Sequence, residues 1–314
     1  MVSITVQPAG RPVKLAKGLP IKVDLPGKDV STATVGDVKA ALVAKFPRFT
    51  PSRQRISAKG DNKLLPPETT LLKAGIVDGD EVTVKDLGPQ ISWQFVFVVE
   101  YAGPLLIHPL FYHFSKLFYG VDQQHSTLQK FVYTWMLLHF AKREVETLFV
   151  HRFSHDTMPF LNIFKNSAHY WIFSGAFLAY ALYSPTYAAT SPYILGTVRN
   201  DPKFLWACTA VWAWAELSNA YTHLKLRALR PPGTRTRAVA TGYGFDLVSF
   251  PNYLFESIAW TVVALMTGSW AAWFFLAIGA GQMYLWGVKK HRAYKREFGD
   301  KYPKGRKVMI PFLL

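Results

Sequence analysis

The sequence predicts a chain in two parts. Residues 1–88 should form a small α+β domain of the β-grasp type, and residues 89–314 a multi-pass α-helical membrane bundle of about six transmembrane helices. The mean hydropathy of +0.09 averages a polar beginning with a much more apolar remainder. Strand-like and helical patterns alternate in the first part, whereas apolar segments recur in the second.

The elements of the first part follow in order. Residues 2–7 alternate between apolar and polar side chains, and "LPIKVDLPG" gives a second strand. "TVGDVKAALVAKFP" has a helix start signal at Thr34 and apolar residues at helical spacing. Further strands are expected around residues 55–59 and 81–85, next to the turn signals "KGDN" and "VDGD". Two strands, a helix and two more strands predict a β-grasp fold.

This order, and "TTLLKAGIVDGDEVTV" in particular, resembles ubiquitin-like domains. The domain has no Gly-Gly terminus and continues through "DLGPQISW", so conjugation by the usual chemistry is not expected. We interpret it as a cytosolic docking or regulatory module, with a folding appendage as the alternative.

Six apolar segments follow, and each approaches the roughly 20 residues that cross a bilayer core. They lie at residues 93–112, 128–150, 168–188, 204–224, 247–268 and 270–288. "KKHRAYKREFGDKYPKGRK" carries nine Lys/Arg against two acidic residues, and "KLRALRPPGTRTR" carries five more. The positive-inside rule places both loops, and with six crossings both termini, in the cytosol. The N-terminus lacks a signal-peptide pattern, so the first span should direct membrane targeting.

Composition and missing motifs exclude several functions. Cys208 is the only cysteine, which excludes intramolecular disulfides and cysteine-built zinc sites. Aromatic residues lie inside apolar spans and do not alternate with basic ones, so no nucleic-acid partner is predicted. No glycine-rich nucleotide loop is present, and a bound nucleotide would therefore be held by side chains. His151 and His155 have metal-ligand spacing, but histidines are too few for a membrane di-iron site, and no metal is predicted.

Ionisable and amide side chains interrupt the apolar segments, where each costs about 2.5 to 3.5 kcal/mol to insert at mid-membrane. They include Glu100, Lys142, Arg143, Glu216, Asn219, Asn252, Tyr253 and Glu256. Asn252 and Glu256 are four residues apart and share a helix face, and Asn219, His223 and Arg227 repeat that step. Such stripes indicate a hydrated cavity that opens toward the cytosol. The alternative is that these groups satisfy one another between helices.

Four motifs carry a family resemblance. The C-terminal "HRAYKREFGDKYPKGRKVMIPFLL", together with "PNYLFESIAW" and "NAYTHLKLRALRPPG", resembles the steroid 5α-reductase family. The ubiquitin-like domain and "KREVETLFVHRFS" narrow the resemblance to its trans-2-enoyl-CoA reductase branch, which acts last in very-long-chain fatty acid elongation. The resemblance covers essentially the whole chain.

The resemblance implies NADPH in a cavity among the last membrane helices. The positions that match cofactor contacts are Asn219, His223, Arg227, Arg230, Asn252, Lys290 and Tyr294, with Arg143 a further phosphate contact. Two residues depart from the steroid reductase pattern, since His223 replaces an aspartate and Phe140 replaces a substrate-contacting tyrosine. These departures weaken a steroid assignment and favour a different proton donor.

Reduction of a 2-enoyl thioester needs hydride at the β-carbon and a proton at the α-carbon, with charge stabilised on the thioester oxygen. Tyr253 is the predicted acid, because a phenol stays protonated at neutral pH. Lys142 is expected to place a cation near it or to polarise the carbonyl. Glu100 matches the family's catalytic glutamate and should orient nicotinamide or substrate, and Glu256 should anchor the Tyr253 helix or the cofactor amide.

The implied substrate is a long-chain 2-enoyl-CoA, with the acyl chain in a laterally open apolar groove among membrane lipids and the CoA at the basic loops. The implied location is the endoplasmic reticulum membrane, in company with other elongation enzymes. Three alternatives stay open at this point: a sterol or polyprenol enone reductase, a membrane-anchored ubiquitin-like adaptor, and an S-adenosylmethionine-dependent methyltransferase.

Overall fold

The computed structural model describes residues 1–61, 64–153, 156–231 and 238–313. The chain divides into two compact units. The N-terminal unit comprises Met1–Ser92 and Thr157–Leu161, and the helical unit comprises Trp93–Asp156 and Asn162–Leu314. The boundary predicted at residue 88 lies just before this division.

The N-terminal unit contains a four-stranded mixed sheet with one α-helix. Its elements are β1 (Val2–Pro8), β2 (Ile21–Leu25), α1 (Val35–Lys45), β3 (Gln54–Ala58) and β4 (Glu81–Asp86). The strand order is β2-β1-β4-β3. The β1 strand pairs antiparallel with β2 and parallel with β4, and β3 pairs antiparallel with β4. The predicted strands and helix are present in the predicted order, and the relationship to ubiquitin-like domains remains a prediction.

Local sequence explains these elements. Alternation in β1 buries Val2, Ile4 and Val6 against the helix side of the sheet. Helix α1 begins at a capping box, in which the Thr34 hydroxyl accepts from the Asp37 backbone N–H at 3.2 Å and the Asp37 carboxylate accepts from the Thr34 N–H at 2.8 Å. The predicted helix start at Thr34 is thus confirmed.

A two-stranded antiparallel ladder follows that the sequence does not predict. Gln90–Ser92 (β5) pairs with Thr157–Pro159 (β6). Strands of only three residues give too little periodic signal to be recognised from sequence.

The helical unit contains a helix in each of the six predicted apolar segments. Its helices are α2 (Trp93–His113), α3 (Ser115–Tyr119), α4 (Thr127–Val145), α5 (Asn162–Ala168), α6 (Leu178–Leu182), α7 (Pro202–Ala228), α8 (Pro251–Thr267) and α9 (Trp270–Phe298). A π-helical turn over Glu146–Val150 extends α4, and another over His169–Phe177 joins α5 to α6. Such turns widen a helix locally and are frequent at functional sites.

Two of these helices, α2 and α9, are long and apolar enough to cross a membrane. Large apolar side chains point outward from several helices, as with Leu106, Leu217 and Leu285, which are 63%, 71% and 64% exposed. In water this exposure would be costly, whereas lipid covers it without cost. The helical unit therefore has the surface of a membrane protein, and the count of six crossings remains a prediction.

The start of α8 is fixed by the C-terminal segment. Ser249, just before α8, places its hydroxyl 2.6 Å from His291 Nδ1 and 2.6 Å from the Tyr302 hydroxyl, and its hydroxyl also donates to the Lys307 carbonyl at 3.0 Å. The Ser249 backbone N–H donates to that same carbonyl at 2.8 Å. Residues 302–308 thus return to the loop that precedes α8 and hold it against α9.

Candidate active site

Helix α4 presents a row of four ionisable side chains on one face. His139, Lys142, Arg143 and Glu146 are spaced by three, one and three residues, which brings them to one side of a helix. The helix is fixed at its start by a capping box between Ser126 and Gln129. The row faces α7 and α8, and it forms the base of a charged cluster inside the helical unit.

Glu216 on α7 joins two members of this row. One carboxylate oxygen of Glu216 lies 2.7 Å from His139 Nδ1, and the other lies 2.7 Å from Lys142 Nζ. His139 is 4% exposed and Glu216 is 7% exposed, so both are removed from solvent. Charge-assisted contacts of this length hold α4 to α7.

Glu146 is the second carboxylate of the cluster. Arg143 Nη1 donates to it at 2.8 Å, His223 Nδ1 lies 3.1 Å from its other oxygen, and Lys142 Nζ lies 3.8 Å away. Arg143 also donates to the Tyr101 hydroxyl at 2.7 Å and stacks 4.9 Å above that ring. Arg143 and His223, both predicted as cofactor contacts, therefore meet at one buried carboxylate.

Asn219 connects α7 to the first turns of α8. Its Nδ2 donates to the Asn252 carbonyl at 2.8 Å and to Glu256 at 3.2 Å, and its Oδ1 accepts from Lys142 at 2.5 Å. Glu256 lies 3.4 Å from His139 Nε2. The structure thus brings six predicted site residues into one cluster, namely Lys142, Arg143, Asn219, His223, Asn252 and Glu256.

A second group lies at the start of α8, where the helix faces α9. Lys290 on α9 donates to the Tyr253 hydroxyl at 3.1 Å, and its ammonium lies 5.6 Å from the Tyr253 ring centroid and 5.9 Å from that of Phe250. The Tyr294 ring is 5.9 Å from Phe250. Three predicted residues, Tyr253, Lys290 and Tyr294, are therefore neighbours around Phe250.

The two predicted arginines of α7 form a third group at its C-terminal end. The Arg227 guanidinium donates to the Phe149 carbonyl, and Arg230 donates to the Arg152 carbonyl at 2.9 Å. Phe149 lies in the π-helical turn that follows α4, and Arg152 lies just after that turn. These contacts hold the arginines beside the basic loop, whose residues 232–237 are outside the described residues.

Several buried oxygens in this region have no hydrogen-bond partner among the described residues. Two of them, Asn252 Oδ1 and Glu100 Oε1, belong to predicted site residues, and the Glu100 side chain is bonded to Asn166. An unpaired buried acceptor costs about 1 to 3 kcal/mol. Most other polar groups of the cluster pair with one another, as the alternative interpretation predicts, but these two oxygens lack that compensation and are suited to a donor from a ligand.

Comparison with known proteins identifies relatives of this chain. Residues 156–314 match the family model described as 3-oxo-5-alpha-steroid 4-dehydrogenase. A Schizosaccharomyces pombe protein with a provisional enoyl reductase name is 46% identical over 314 residues, which is the whole of both chains. The very-long-chain enoyl-CoA reductase of Dictyostelium discoideum is 40% identical over 293 residues, covering 90% of this chain and 93% of its own.

The chain belongs to the very-long-chain enoyl-CoA reductases of the steroid 5α-reductase family. A trans-2,3-enoyl-CoA reductase-like protein of Mus musculus is 29% identical over 297 residues, covering 91% of this chain and 79% of its own. The resemblance predicted from the four motifs is therefore confirmed, and the chain is an oxidoreductase.

One neighbour in this reductase differs from expectation. Lys142 was expected to place a cation near Tyr253 or to polarise the carbonyl. Its ammonium contacts Glu216 and Asn219, and the cation at the Tyr253 hydroxyl is Lys290, whereas the second role remains a prediction. The physical reason is that Lys142 lies one turn from His139 on α4 and meets the carboxylate of α7, whereas Lys290 extends from α9 toward the start of α8.

Sequence reasoning missed two members of the reductase cluster. His139 contacts both Glu216 and Glu256, and Tyr101 accepts from Arg143. His139 carries a usable signal, because it precedes Lys142 by three residues and Glu146 by seven and so shares their helix face. Tyr101 directly follows Glu100 in an apolar run, and no spacing distinguishes it from a packing tyrosine.

Three side chains of the reductase have the donor types of a metal site. Ligand atoms of Glu146, His151 and His223 all lie within 4.8 Å of one another. Arg143 and Lys142 already contact the same carboxylate, and their charge opposes binding of a metal cation there. His155, the other histidine of the predicted pair, lies outside the described residues.

Proposed function

We propose that the chain reduces trans-2-enoyl-CoA to saturated acyl-CoA with NADPH, as the last step of very-long-chain fatty acid elongation. The proposed location is the endoplasmic reticulum membrane, with six crossings and both termini in the cytosol. Relatives named as enoyl-CoA reductases over nearly the full chain support the reaction class. The two long apolar helices support a membrane location.

The residues present fit a nicotinamide cofactor. Asn252 offers a buried amide oxygen without a hydrogen-bond partner among the described residues, which suits the amino group of a carboxamide. Arg227 and Arg230 bring planar guanidinium donors to the cytosolic end of α7, and such groups bind phosphates in a bidentate manner. Asn219 and His223 lie between these two ends on α7. When bound, the cofactor supplies the hydride that the β-carbon of the substrate receives.

The observation that carries the proposal is the contact between the Tyr253 hydroxyl and Lys290, at 3.1 Å. Tyr253 donates its phenolic proton to the α-carbon of the substrate. The adjacent ammonium stabilises the phenolate that remains, and it also favours negative charge on a thioester oxygen nearby. Tyr253 lies one residue after Asn252, so the acid and the proposed cofactor contact belong to the same helical turn.

The remaining residues position these groups. Glu256 holds Asn219 and contacts His139, which keeps the first turns of α8 against α4 and α7. Lys142 holds Asn219 from the other side. Glu100, with its buried unpaired oxygen, is suited to orient the nicotinamide or the substrate. The acyl chain is proposed to lie against apolar helix faces, with the CoA near the basic cytosolic loops.

The test is turnover by the detergent-purified protein. We expect NADPH oxidation that depends on added trans-2-enoyl-CoA, with slower oxidation of NADH. Tyr253→Phe should lower kcat by about 10² to 10⁴-fold, the usual contribution of a positioned acid, while NADPH still quenches tryptophan fluorescence. Tyr221→Phe, an exposed phenol on α7, is the matched control.

Two results would contradict the proposal in different ways. No oxidation with any enoyl-CoA, but oxidation with a sterol enone, would change the substrate class. Full activity of the Tyr253→Phe protein would leave the substrate class intact and remove Tyr253 as the acid.

A further inference from the structure

The C-terminal half of α9 has two basic faces that point in different directions. Lys290, His291 and Tyr294 lie on the inner face, where they contact Tyr253, Ser249 and Phe250. Successive helical residues turn by about 100°. On that rotation each residue of the outer face lies more than a quarter turn from Lys290, and the face consists of Tyr284, Leu285, Val288, Lys289, Arg292, Lys295 and Arg296.

The outer face lines a cavity of about 920 Å³, which is open to the surroundings of the protein. Its four cations, Lys289, Arg292, Lys295 and Arg296, are exposed. Among the residues that the structure describes, no carboxylate forms an ion pair with any of them. The face therefore carries four positive charges that the cofactor proposal does not use.

This face changes from apolar to basic residues at the depth where a bilayer changes from hydrocarbon to headgroups. Helix α9 begins at Trp270, and a rise of 1.5 Å per residue brings it to Lys289 after about 30 Å, the thickness of the hydrocarbon core. Leu285 and Val288 precede that level, and the four cations follow it. Acyl chains therefore meet the apolar end of the face, and lipid phosphates meet the basic end.

We infer that the outer face of α9 is a binding site for an anionic phospholipid. The acyl chains pack on Tyr284, Leu285 and Val288, and the headgroup phosphate and carboxylate lie among the four cations. Each Lys or Arg near an anionic leaflet contributes about 1 kcal/mol of attraction. A zwitterionic lipid has the same acyl chains but no net charge, so the face selects lipids by headgroup charge. Lys290 points toward Tyr253 on α8 and not toward this face, which separates the lipid site from the proposed cofactor site.

The test compares spin-labelled phosphatidylserine with spin-labelled phosphatidylcholine, each present in trace amount in phosphatidylcholine vesicles that contain the full chain. Electron paramagnetic resonance measures the fraction of labelled lipid immobilised by the protein. We expect the natural chain to prefer phosphatidylserine by about tenfold, because several cations act together even after salt screening.

Three variants make the test specific. Replacing Lys289, Arg292, Lys295 and Arg296 with Gln should abolish the preference. Exchanging Lys for Arg and Arg for Lys at the same four positions should retain it. The matched control replaces Arg11, Lys14, Lys17 and Arg48, four exposed cations of the N-terminal unit, with Gln, and it should also retain the preference.

The inference is overturned if the α9 Gln variant still prefers phosphatidylserine, or if the N-terminal control loses the preference equally, since net charge alone would then explain it. If the α9 Gln variant keeps its lipid preference and also raises the KM for enoyl-CoA, the inference is overturned and the face binds the CoA phosphates instead. An unchanged thermal unfolding midpoint of the variant in detergent shows that it is folded, independently of either result.

Discussion

The N-terminal unit and the helical unit differ in how deeply they bury charged side chains. In the N-terminal unit the core cluster consists of aliphatic and aromatic residues, such as Ile4, Leu42 and Phe49, each fully buried. Its ion pairs are more exposed than those of the helical cluster. They range from Lys59 with Glu81 at 2.6 Å, with side chains 63% and 39% exposed, to Arg53 with Asp86 at 2.7 Å, with side chains 22% and 21% exposed. Such pairs contribute about 0 to 1 kcal/mol each.

The helical unit instead buries its charges. Glu146 is 3% exposed and Glu216 is 7% exposed, and both are surrounded by cations and imidazoles from other helices. Desolvation of such groups costs several kcal/mol per ion, and pairing recovers this cost only when the geometry is good. The N-terminal unit has an apolar core without such a cluster. The buried charges of the helical unit therefore agree with the site proposed for them.

The largest expected effect comes from removing a buried carboxylate. Glu146→Gln leaves Arg143 and Lys142 without their shared partner, and we expect a loss of about 3 to 5 kcal/mol in stability. Thermal unfolding in detergent measures it. The control is Asp122→Asn, which breaks an exposed pair with Lys116 and should cost less than about 1 kcal/mol. Equal unfolding midpoints for the two variants would mean that the cluster is solvated, and the contrast between the units would disappear.

A comparable deletion in the apolar core tests the other side of the contrast. Leu42→Ala should lower the free energy of unfolding of a fragment spanning residues 1–88 by about 2 to 5 kcal/mol, because it leaves a cavity. Urea unfolding followed by circular dichroism measures this loss. Leu72→Ala, at a side chain 56% exposed, should change it by less than about 0.5 kcal/mol. A larger effect at Leu72 than at Leu42 would show that the core is wrongly located.

A smaller effect, on rate and not on stability, is expected at Lys290. Lys290→Gln removes the ammonium beside Tyr253 and should lower kcat about tenfold to a hundredfold, while the unfolding midpoint stays unchanged because this lysine is exposed. Steady-state kinetics with enoyl-CoA measures the change. Lys301→Gln, which alters another exposed cation, should leave kcat as it was. A loss of kcat in both variants would indicate a general charge effect.

The smallest expected effect is a pH dependence of the N-terminal fragment. Hydrogen bonds from the Ser31 hydroxyl and then from Thr32 lower the pKa of Asp29 to about 2, and the Lys28 ammonium lowers the pKa of Asp37. Both pKa values are depressed in the folded state, so the stabilisation is complete above the unfolded value of about 3.9 and is lost as the pH falls toward about 2. Urea midpoints between pH 6 and pH 2 measure it. Asp29→Asn should flatten the slope, and an unchanged slope would contradict the assignment.

Much of the fold could be predicted from local pattern. Alternation located β1, the capping signal located the start of α1 at Thr34, and apolar length located a helix in each of the six segments. The β5–β6 ladder could not be predicted, because its two short strands are separated by more than 60 residues and depend on tertiary pairing. Interruptions of α-helix by π-helical turns also lack a sequence signal of their own.

The site could be predicted within each helix but not between helices. Spacing placed Asn252 with Glu256, and Asn219 with His223, on shared faces, and Asn219 indeed contacts α8. Which cation reaches Tyr253 depends on the distance between helices, and spacing along α4 could not favour Lys290 over Lys142. His139 was missed because apolar neighbours made it resemble a packing residue, although both of its ring nitrogens contact carboxylates.

The return of the C-terminal segment onto Ser249 has a practical consequence for handling the protein. A truncation before Tyr302 removes both the Tyr302 hydroxyl and the Lys307 carbonyl from the Ser249 side chain, and it leaves His291 as its partner from α9. The start of α8, two residues before the proposed acid Tyr253, would then be held by fewer contacts. Affinity tags are therefore better fused at the N-terminal unit than close behind residue 308, where a bulky addition would compete with this packing.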